Sequence, residues 1–227
     1  MSLPPARLAV GETLADAWRL YTRNSWRLIA TAGVGYGVLA LLEILVASAV
    51  SERLAFTLVS LALTVVAVYW LQGALVLLVQ EIRAGRPAPP MLDLFARVEP
   101  KLWTLMAAGL LAGFGIAVGL VLFVLPGLAL LAYWSLITPS IVLEGRSVTA
   151  AFRRSAQLVR GNALRVFAVI VLTVIFSSVA GLVVTALLQP IGGAFGYYLA
   201  AVAANAVTIP FVALAWTEMY FALRSGR

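Results

Sequence analysis

The chain has 227 residues, of which 63% are hydrophobic and only 11% are charged, and its formal net charge at neutral pH is +7. Soluble domains have about 25% charged residues, so this composition excludes an ordinary soluble domain and favours a membrane protein. The sequence contains no cysteine and no histidine, which excludes disulfides, thiolate nucleophiles, and acid–base or zinc chemistry that depends on histidine.

Six apolar stretches are each long enough to cross a membrane, because a helix needs about 20 residues to span a ~30 Å hydrocarbon core. Pro126 and Pro190 lie in short breaks between such stretches, where proline and neighbouring glycine are expected to separate two helices. Pro139 and Pro210 lie inside stretches and are expected to kink them. The predicted spans are 28–49, 54–79, 102–124, 128–143, 166–188 and 197–220.

The distribution of positive charge predicts the orientation of these spans. Fifteen of the sixteen basic residues precede an odd-numbered span or follow an even-numbered one, and Arg53 is the exception. Short loops rich in lysine and arginine stay in the cytoplasm. We therefore expect both termini to be cytoplasmic; the family resemblance described below implies a bacterial inner membrane. The positive charge is then expected to face anionic lipid headgroups, and nucleic acid is not expected as a partner.

Three connecting segments on the cytoplasmic side carry apolar residues at the helical period. Such amphipathic helices lie in the membrane interface with their apolar face among acyl chains. The predicted interfacial helices are about 9–23, 91–99 and 147–160. Two spans follow each of them, and Trp18, Phe95 and Phe152 occupy matching places, which suggests three parallel repeats related by an axis along the membrane normal. The alternative is that any cytoplasmic segment ahead of a span tends to be amphipathic.

Four residues with carboxylate or amide side chains lie within the predicted spans: Glu43, Gln72, Asn205 and Glu218. Glu43 is either a proton or cation site or an outer-edge carboxylate near Arg53, and its shallow depth favours the second interpretation. Asn205 is expected to satisfy backbone groups freed near Pro210, and both amides are expected to hold helices together rather than bind a ligand. Glu218 is expected to pair with an arginine at the cytoplasmic end of its span.

The densest group of charges surrounds Glu144, just after the fourth span. It contains Arg146, Arg153, Arg154 and Arg160. Because seven residues make nearly two helical turns, the last three are expected on roughly one side of their helix. One interpretation is a pocket for a lipid phosphate, to which guanidinium groups donate paired hydrogen bonds. The alternative is that these arginines only set the topology while a glutamate–arginine pair orients the helix.

A succession of motifs in the second half of the chain resembles a known family. The motifs are Leu125-Pro126-Gly127, Ile137-Thr138-Pro139, Val142-Leu143-Glu144-Gly145 and Ala151-Phe152-Arg153-Arg154-Ser155-Ala156-Gln157-Leu158-Val159-Arg160-Gly161. They resemble the six-helix membrane domain attached to some bacterial glycerophosphodiester phosphodiesterases, and related stand-alone inner-membrane proteins of unknown function. Enzymes of that family carry a soluble barrel with catalytic histidines, so the resemblance implies only the membrane module here.

These observations predict an all-α protein in one membrane domain, 1–227, with six transmembrane helices and three interfacial helices. We expect no catalytic residue, metal or cofactor. The predicted function is a non-catalytic membrane module that engages membrane lipids, chiefly anionic headgroups on the cytoplasmic side, or partner membrane proteins. The alternative is a small transporter for a lipid or lipid-derived solute, which should contain a polar cavity near the midplane, between spans four and six.

Overall fold

A computed structural model describes residues 8–225, and its regular structure in that range is helical throughout. Two 3-10 turns, Glu99–Lys101 and Gln189–Ile191, precede α4 and follow α8. The α-helices are α1 (Val10–Ala49), α2 (Arg53–Arg83), α3 (Met91–Val98), α4 (Leu102–Leu122), α5 (Val124–Trp134), α6 (Ile137–Glu144), α7 (Val148–Val159), α8 (Ala163–Leu188) and α9 (Gly193–Ser225).

Six helical segments are long and apolar enough to cross a membrane, which confirms the predicted all-α, six-span fold. The chain is therefore a multi-pass membrane protein. Single helices provide five of the spans, and α5 with α6 forms the fourth. Two of the fifteen basic residues that underlie the predicted orientation, Arg7 and Arg227, lie outside the described residues.

The first predicted interfacial helix and the first span form one helix, α1, of 40 residues. A kink at Asn24 (φ −126°, ψ 19°) divides α1 at the predicted boundary between the two, and the helix resumes directly after it. The Asn24 amide donates to the Leu20 carbonyl at 3.1 Å, and side chains that bond to the backbone in this way often accompany helix bends. At 1.5 Å per residue the part of α1 after the kink, 25–49, is about 37 Å long, which is enough to cross a hydrocarbon core of ~30 Å.

Pro126 and Pro139 lie in the first turn of a helix, whereas Pro190 lies in the 3-10 turn between α8 and α9, and Pro210 lies inside α9. The break between α4 and α5 is at Phe123 (φ −154°, ψ 124°), and Pro126 lies in the first turn of α5. The fourth span is interrupted at Leu136 (φ −100°, ψ 16°), three residues before Pro139, which lies in the first turn of α6. A first turn tolerates proline because its N–H groups have no partner within the helix.

The short helices bury their apolar faces against other helices of the bundle. α3 buries Leu94 and Val98, while α7 buries Ala151, Ser155 and Val159. The apolar stripes predicted for contact with acyl chains are therefore partly used in protein packing, which gains burial for the short helix and for its neighbour alike. The position of these helices at a membrane interface stays a prediction.

The core lies near the end of the bundle at which α2, α6 and α9 end. We call it the charged end, because Glu81, Glu144 and Glu218 lie there. Between residues 71 and 82 of α2 nearly every side chain is buried. In contrast, 40–70, 113–126 and 174–193, which form the other ends of the three helix pairs, contain no buried residue. Buried side chains are therefore concentrated at the charged end.

Candidate functional site

Three carboxylates lie at equivalent places near the ends of α2, α6 and α9. The side chains of Glu81, Glu144 and Glu218 are only 10%, 8% and 6% exposed. A carboxylate loses hydration when it is buried, so charged hydrogen-bond donors must replace the water. Each of the three has at least one arginine partner, and these pairs join elements that are distant in sequence.

Glu144 joins α6, α7 and α9 in one hydrogen-bonded centre. Arg154 Nε donates to both carboxylate oxygens at 3.0 and 3.1 Å, and Arg146 Nε donates to Oε2 at 3.0 Å. The fully buried Tyr220 donates its hydroxyl to Oε1 at 2.5 Å. Gly145 follows with a φ of +64°, which lets α6 end and the chain turn toward α7. The pairing predicted for Glu144 is thus present, with Tyr220 as an additional donor.

Glu81 joins α2 to α3. It accepts hydrogen bonds from Arg86, in the connecting loop, and from Arg97 Nη1 at 3.3 Å, on α3. The Glu81 carboxylate raises the pKa of Arg86 above its usual value, because it stabilises the charged guanidinium. Nearby, Lys101 Nζ donates to the Val142 carbonyl at 2.6 Å, so the basic side chain caps a free carbonyl of α6.

Glu218 joins α9 to α2 through Arg83, the predicted type of partner. The guanidinium carbon of Arg83 also lies 4.5 Å from the centre of the Phe221 ring, a cation–π contact. The second carboxylate oxygen of Glu218, Oε1, is buried and has no hydrogen-bond partner among the described residues. The pairing at this centre is therefore less complete than at Glu144.

The structure divides the four arginines predicted to form one group. Arg146 and Arg154 bind Glu144, whereas Arg153 and Arg160 are exposed on α7 and the residue that follows it. The expectation that Arg153, Arg154 and Arg160 share one side of the helix is wrong for Arg154. Each residue rotates the helix by about 100°, so adjacent side chains diverge while residues seven apart realign.

Two short helical segments donate hydroxyl groups to interrupted or proline-containing spans. Ser155 accepts a hydrogen bond from the Leu136 N–H at 3.1 Å and donates to the Tyr133 carbonyl at 2.6 Å, across the break between α5 and α6. Tyr21 donates to the Val207 carbonyl at 2.8 Å, three residues before Pro210 in α9. The Ser155 bonds satisfy backbone groups that the break would leave unpaired in apolar surroundings, whereas the Tyr21 bond ties α1 to α9 near Pro210.

The three aromatic residues matched in the sequence make similar contacts. In each case the ring packs edge-on against an aromatic residue of an even-numbered span, at angles of 77–89°. The centroid distances are 6.0 Å for Trp18–Phe211, 5.8 Å for Phe95–Trp70 and 4.9 Å for Phe152–Trp134. These contacts support the predicted threefold repeat, in which each short helix packs against the preceding unit and the first packs against the last.

The polar residues inside the spans mostly bond within the bundle. Glu43 accepts a hydrogen bond from Thr64 Oγ1 at 3.2 Å, and no ion pair with Arg53 occurs in residues 8–225. Asn205 donates to the Ala201 carbonyl at 2.9 Å, four residues earlier in its own helix. Asn205 was expected to satisfy a backbone group freed near Pro210, and it does not bond to the carbonyl that Pro210 frees. Gln72 is half-buried on α2.

Among the cavities of the described residues, three lie at the two ends of the bundle. Two of them, of about 120 and 350 Å³, adjoin Glu218 and Arg83 at the charged end. The third, of about 550 Å³, lies between α8 and α9 at the opposite end and is lined mainly by apolar groups around Leu182 and Tyr197. These positions differ from the midplane, between spans four and six, where a transporter cavity was expected. Within residues 8–225 no cluster of acidic side chains is arranged to hold a metal ion.

Sequence reasoning missed several residues of the charged end: Leu20, Glu81, Arg83, Ser155 and Tyr220. One signal was available. Each even-numbered span ends in a glutamate that is followed two residues later by a hydrogen-bond donor, namely Arg83, Arg146 or Tyr220. Which glutamate each donor reaches depends on how the units pack, so the pairing itself could not be read from the spacing.

The fold and this end define a six-span membrane protein whose helix pairs are joined by buried carboxylate–arginine centres. The chain belongs to the family described as Domain of unknown function (DUF7847), whose model matches residues 101–223, more than half of its length. Comparison with curated proteins and with solved structures finds no match.

Proposed function

We propose that this protein is a non-catalytic module of a bacterial inner membrane that binds anionic phospholipid headgroups at its charged end, which faces the cytoplasm. The observation that carries the proposal is the exposure of Arg153 and Arg160. Neither takes part in an ion pair among the described residues, and they lie seven positions apart on one helical face. Seven residues of a helix rise about 10 Å along the axis, a spacing at which two guanidinium groups suit lipid phosphates.

Exposed aromatic residues near the charged end support the same proposal. Trp26 and Trp103 are 79% and 78% exposed at the start of the first and third spans, and each is adjacent or close to a basic residue, Arg27 or Lys101. Tryptophan is enriched at the level of lipid headgroups, where one edge of the ring contacts hydrocarbon and the other contacts water. If Trp26 and Trp103 lie at the level of the headgroups, Arg153 and Arg160 lie near the lipid phosphates.

The resemblance to the membrane domain of glycerophosphodiester phosphodiesterases agrees with a role beside lipids or beside a partner membrane protein. The chain has no histidine or cysteine, and its buried carboxylates are paired with arginines for packing. Transport of a lipid or lipid-derived solute is the alternative. A transporter is expected to contain a polar cavity near the membrane midplane. The cavities described above lie at the ends of the bundle, which favours the lipid-binding module.

The test is retention of anionic lipid by the purified protein, measured by native mass spectrometry. We expect Arg153→Gln/Arg160→Gln to retain less phosphatidylglycerol than wild type. We also expect Arg153→Lys/Arg160→Lys to be weaker than wild type, because lysine lacks the planar two-pronged donor. Arg23→Gln/Arg224→Gln is the matched control, since both arginines are exposed, neither takes part in an ion pair among the described residues, and α7 stays intact. Equal retention by all four proteins would refute a specific site on α7.

A further inference from the structure

The centre at Glu218 lacks a donor that both other centres have. Arg97 and Arg154 each lie two residues after the matched aromatic of their short helix, and each donates to the glutamate of the preceding unit, Glu81 or Glu144. The corresponding position in the first unit, two residues after Trp18, is Leu20. No guanidinium from α1 therefore takes the place that an arginine occupies at the other centres.

The donor that Glu218 does have, Arg83, occupies the same place in its unit as Tyr220, the donor to Glu144. Tyr220 and Arg83 each lie two residues after the glutamate of their own unit, and they donate to the glutamate of the neighbouring unit, Glu144 and Glu218. Glu218 thus has this donor and lacks only the one from the short helix. Its Oε1 is left buried without a hydrogen-bond partner, on a side chain that is only 6% exposed.

Unpaired carboxylate oxygens in apolar surroundings cost free energy, so a hydrogen-bond donor beside Glu218 Oε1 would stabilise the folded protein. Space exists next to it. The 120 Å³ cavity is lined by Glu218, Arg83, Glu12, Asp16 and small polar groups, and it adjoins the cavity that Leu20 lines. A single water needs only about 10–15 Å³ on this measure, so the space accepts a group of several heavy atoms.

The lining carries three carboxylates, on Glu12, Asp16 and Glu218, against the single guanidinium of Arg83. Asp16 also binds Arg19, which is largely exposed at the mouth. The adjoining cavity adds Arg23, so the excess of negative charge is confined to the 120 Å³ cavity, where three carboxylates face Arg83 and Arg19. There it favours a cation. These acidic side chains are not arranged to hold a metal ion, so the fitting ligand is a cation that donates hydrogen bonds.

We propose that the cavity beside Glu218 binds a small guanidinium or ammonium cation, which takes the place that Arg97 and Arg154 side chains occupy at the other two centres. The cation donates to Glu218 Oε1 after a small opening of the cavity wall, and its outer hydrogens face Glu12 and Asp16. This site is separate from the phosphate site on α7, because it uses other residues and the opposite sign of charge. The ligand is either a free solute or the ammonium headgroup of a lipid.

The experiment measures the apparent melting temperature of the protein in an uncharged detergent during titration with methylguanidinium chloride, with sodium chloride at equal ionic strength as reference. Wild type should be stabilised in a saturable manner, because a ligand that binds only the folded state raises its stability. In Leu20→Arg the new guanidinium should occupy the site itself, and the apparent affinity should fall by about tenfold or more, the order expected for one charge-assisted hydrogen bond.

Two further variants keep the result interpretable if Leu20→Arg does not fold. Leu20→Met, similar in volume and uncharged, should respond like wild type. Glu12→Gln changes an exposed side chain and should weaken the response. A second arm compares phosphatidylcholine nanodiscs with and without phosphatidylethanolamine. If phosphatidylethanolamine stabilises the protein and also reduces the response to methylguanidinium, the ligand is a lipid headgroup. If phosphatidylethanolamine has neither effect, the ligand is a free cation.

The proposal is overturned if wild type shows no stabilisation beyond sodium chloride in either arm, or if Leu20→Arg responds as strongly as wild type. An unchanged response in Glu12→Gln also counts against it, since the cavity would then not contribute its charge. Loss of lipid phosphate binding in the α7 variants leaves this result unaffected, so the two proposals fail independently.

Discussion

Ser155 is expected to contribute more to stability than any other serine at the charged end, because it alone bridges the break in the fourth span. Ser155→Ala removes the acceptor of the Leu136 N–H and the donor to the Tyr133 carbonyl. Ser155 and Leu136 are fully buried, so water does not replace the lost bonds. The variant should therefore leave a backbone N–H unpaired in the core.

The magnitude follows from the two bonds. Hydrogen bonds between membrane helices contribute about 0.6 kcal/mol on average and at most about 1.7. A buried donor left without an acceptor costs about 1–3 kcal/mol. Since Ser155 makes one bond of each direction, we expect Ser155→Ala to lower the free energy of unfolding by about 2 kcal/mol.

Ser140 supplies the matched control, because it is also fully buried and lies on α6, close to the same break. Its hydroxyl donates to the Leu136 carbonyl at 2.7 Å, which already accepts the Ser140 N–H at 3.1 Å. Such local bonds contribute little or slightly destabilise a helix, so Ser140→Ala should be nearly neutral. The assay is unfolding by sodium dodecyl sulfate in mixed micelles, followed by circular dichroism. Equal effects of the two variants would refute the reasoning.

Two further predictions concern the orientation and the packing of the spans. Ser51 and Ser147 are both exposed. In sealed cells, an impermeant thiol reagent should label Ser51→Cys and not Ser147→Cys, because loops rich in lysine and arginine are expected in the cytoplasm. Labelling at position 147 would contradict the predicted orientation. Gly127→Ala should destabilise the protein by about 1–3 kcal/mol, since its Cβ would lie 2.5 Å from the Leu120 backbone nitrogen. Gly113→Ala, whose Cβ would have no atom within 4 Å, should be neutral or stabilising. Thermal denaturation measures both, and the same loss of stability in both variants would exclude close helix packing as the cause.

Residues near the charged end show where sequence reasoning succeeds and where it stops. Glu144 was expected to pair with an arginine, and Glu218 likewise, because ionised groups near a membrane need a partner. The specific partners, Arg154 for one and Arg83 for the other, were not identified. Both partners lie on other helices, and local spacing contains no information about which helices become neighbours.

The sequence by itself determined the number of spans and the all-α class. Both follow from local chemistry, since a backbone in hydrocarbon must satisfy its own hydrogen bonds and about 20 apolar residues cross the core as a helix. The tertiary structure decided which side chains are held in contacts within the bundle and which stay exposed. Arg154 and Arg153 are adjacent and identical in type, yet one binds a buried carboxylate and the other is exposed. That difference arises because a helix turns by about 100° per residue, and only the position of α7 against α6 and α9 decides which side chain faces Glu144.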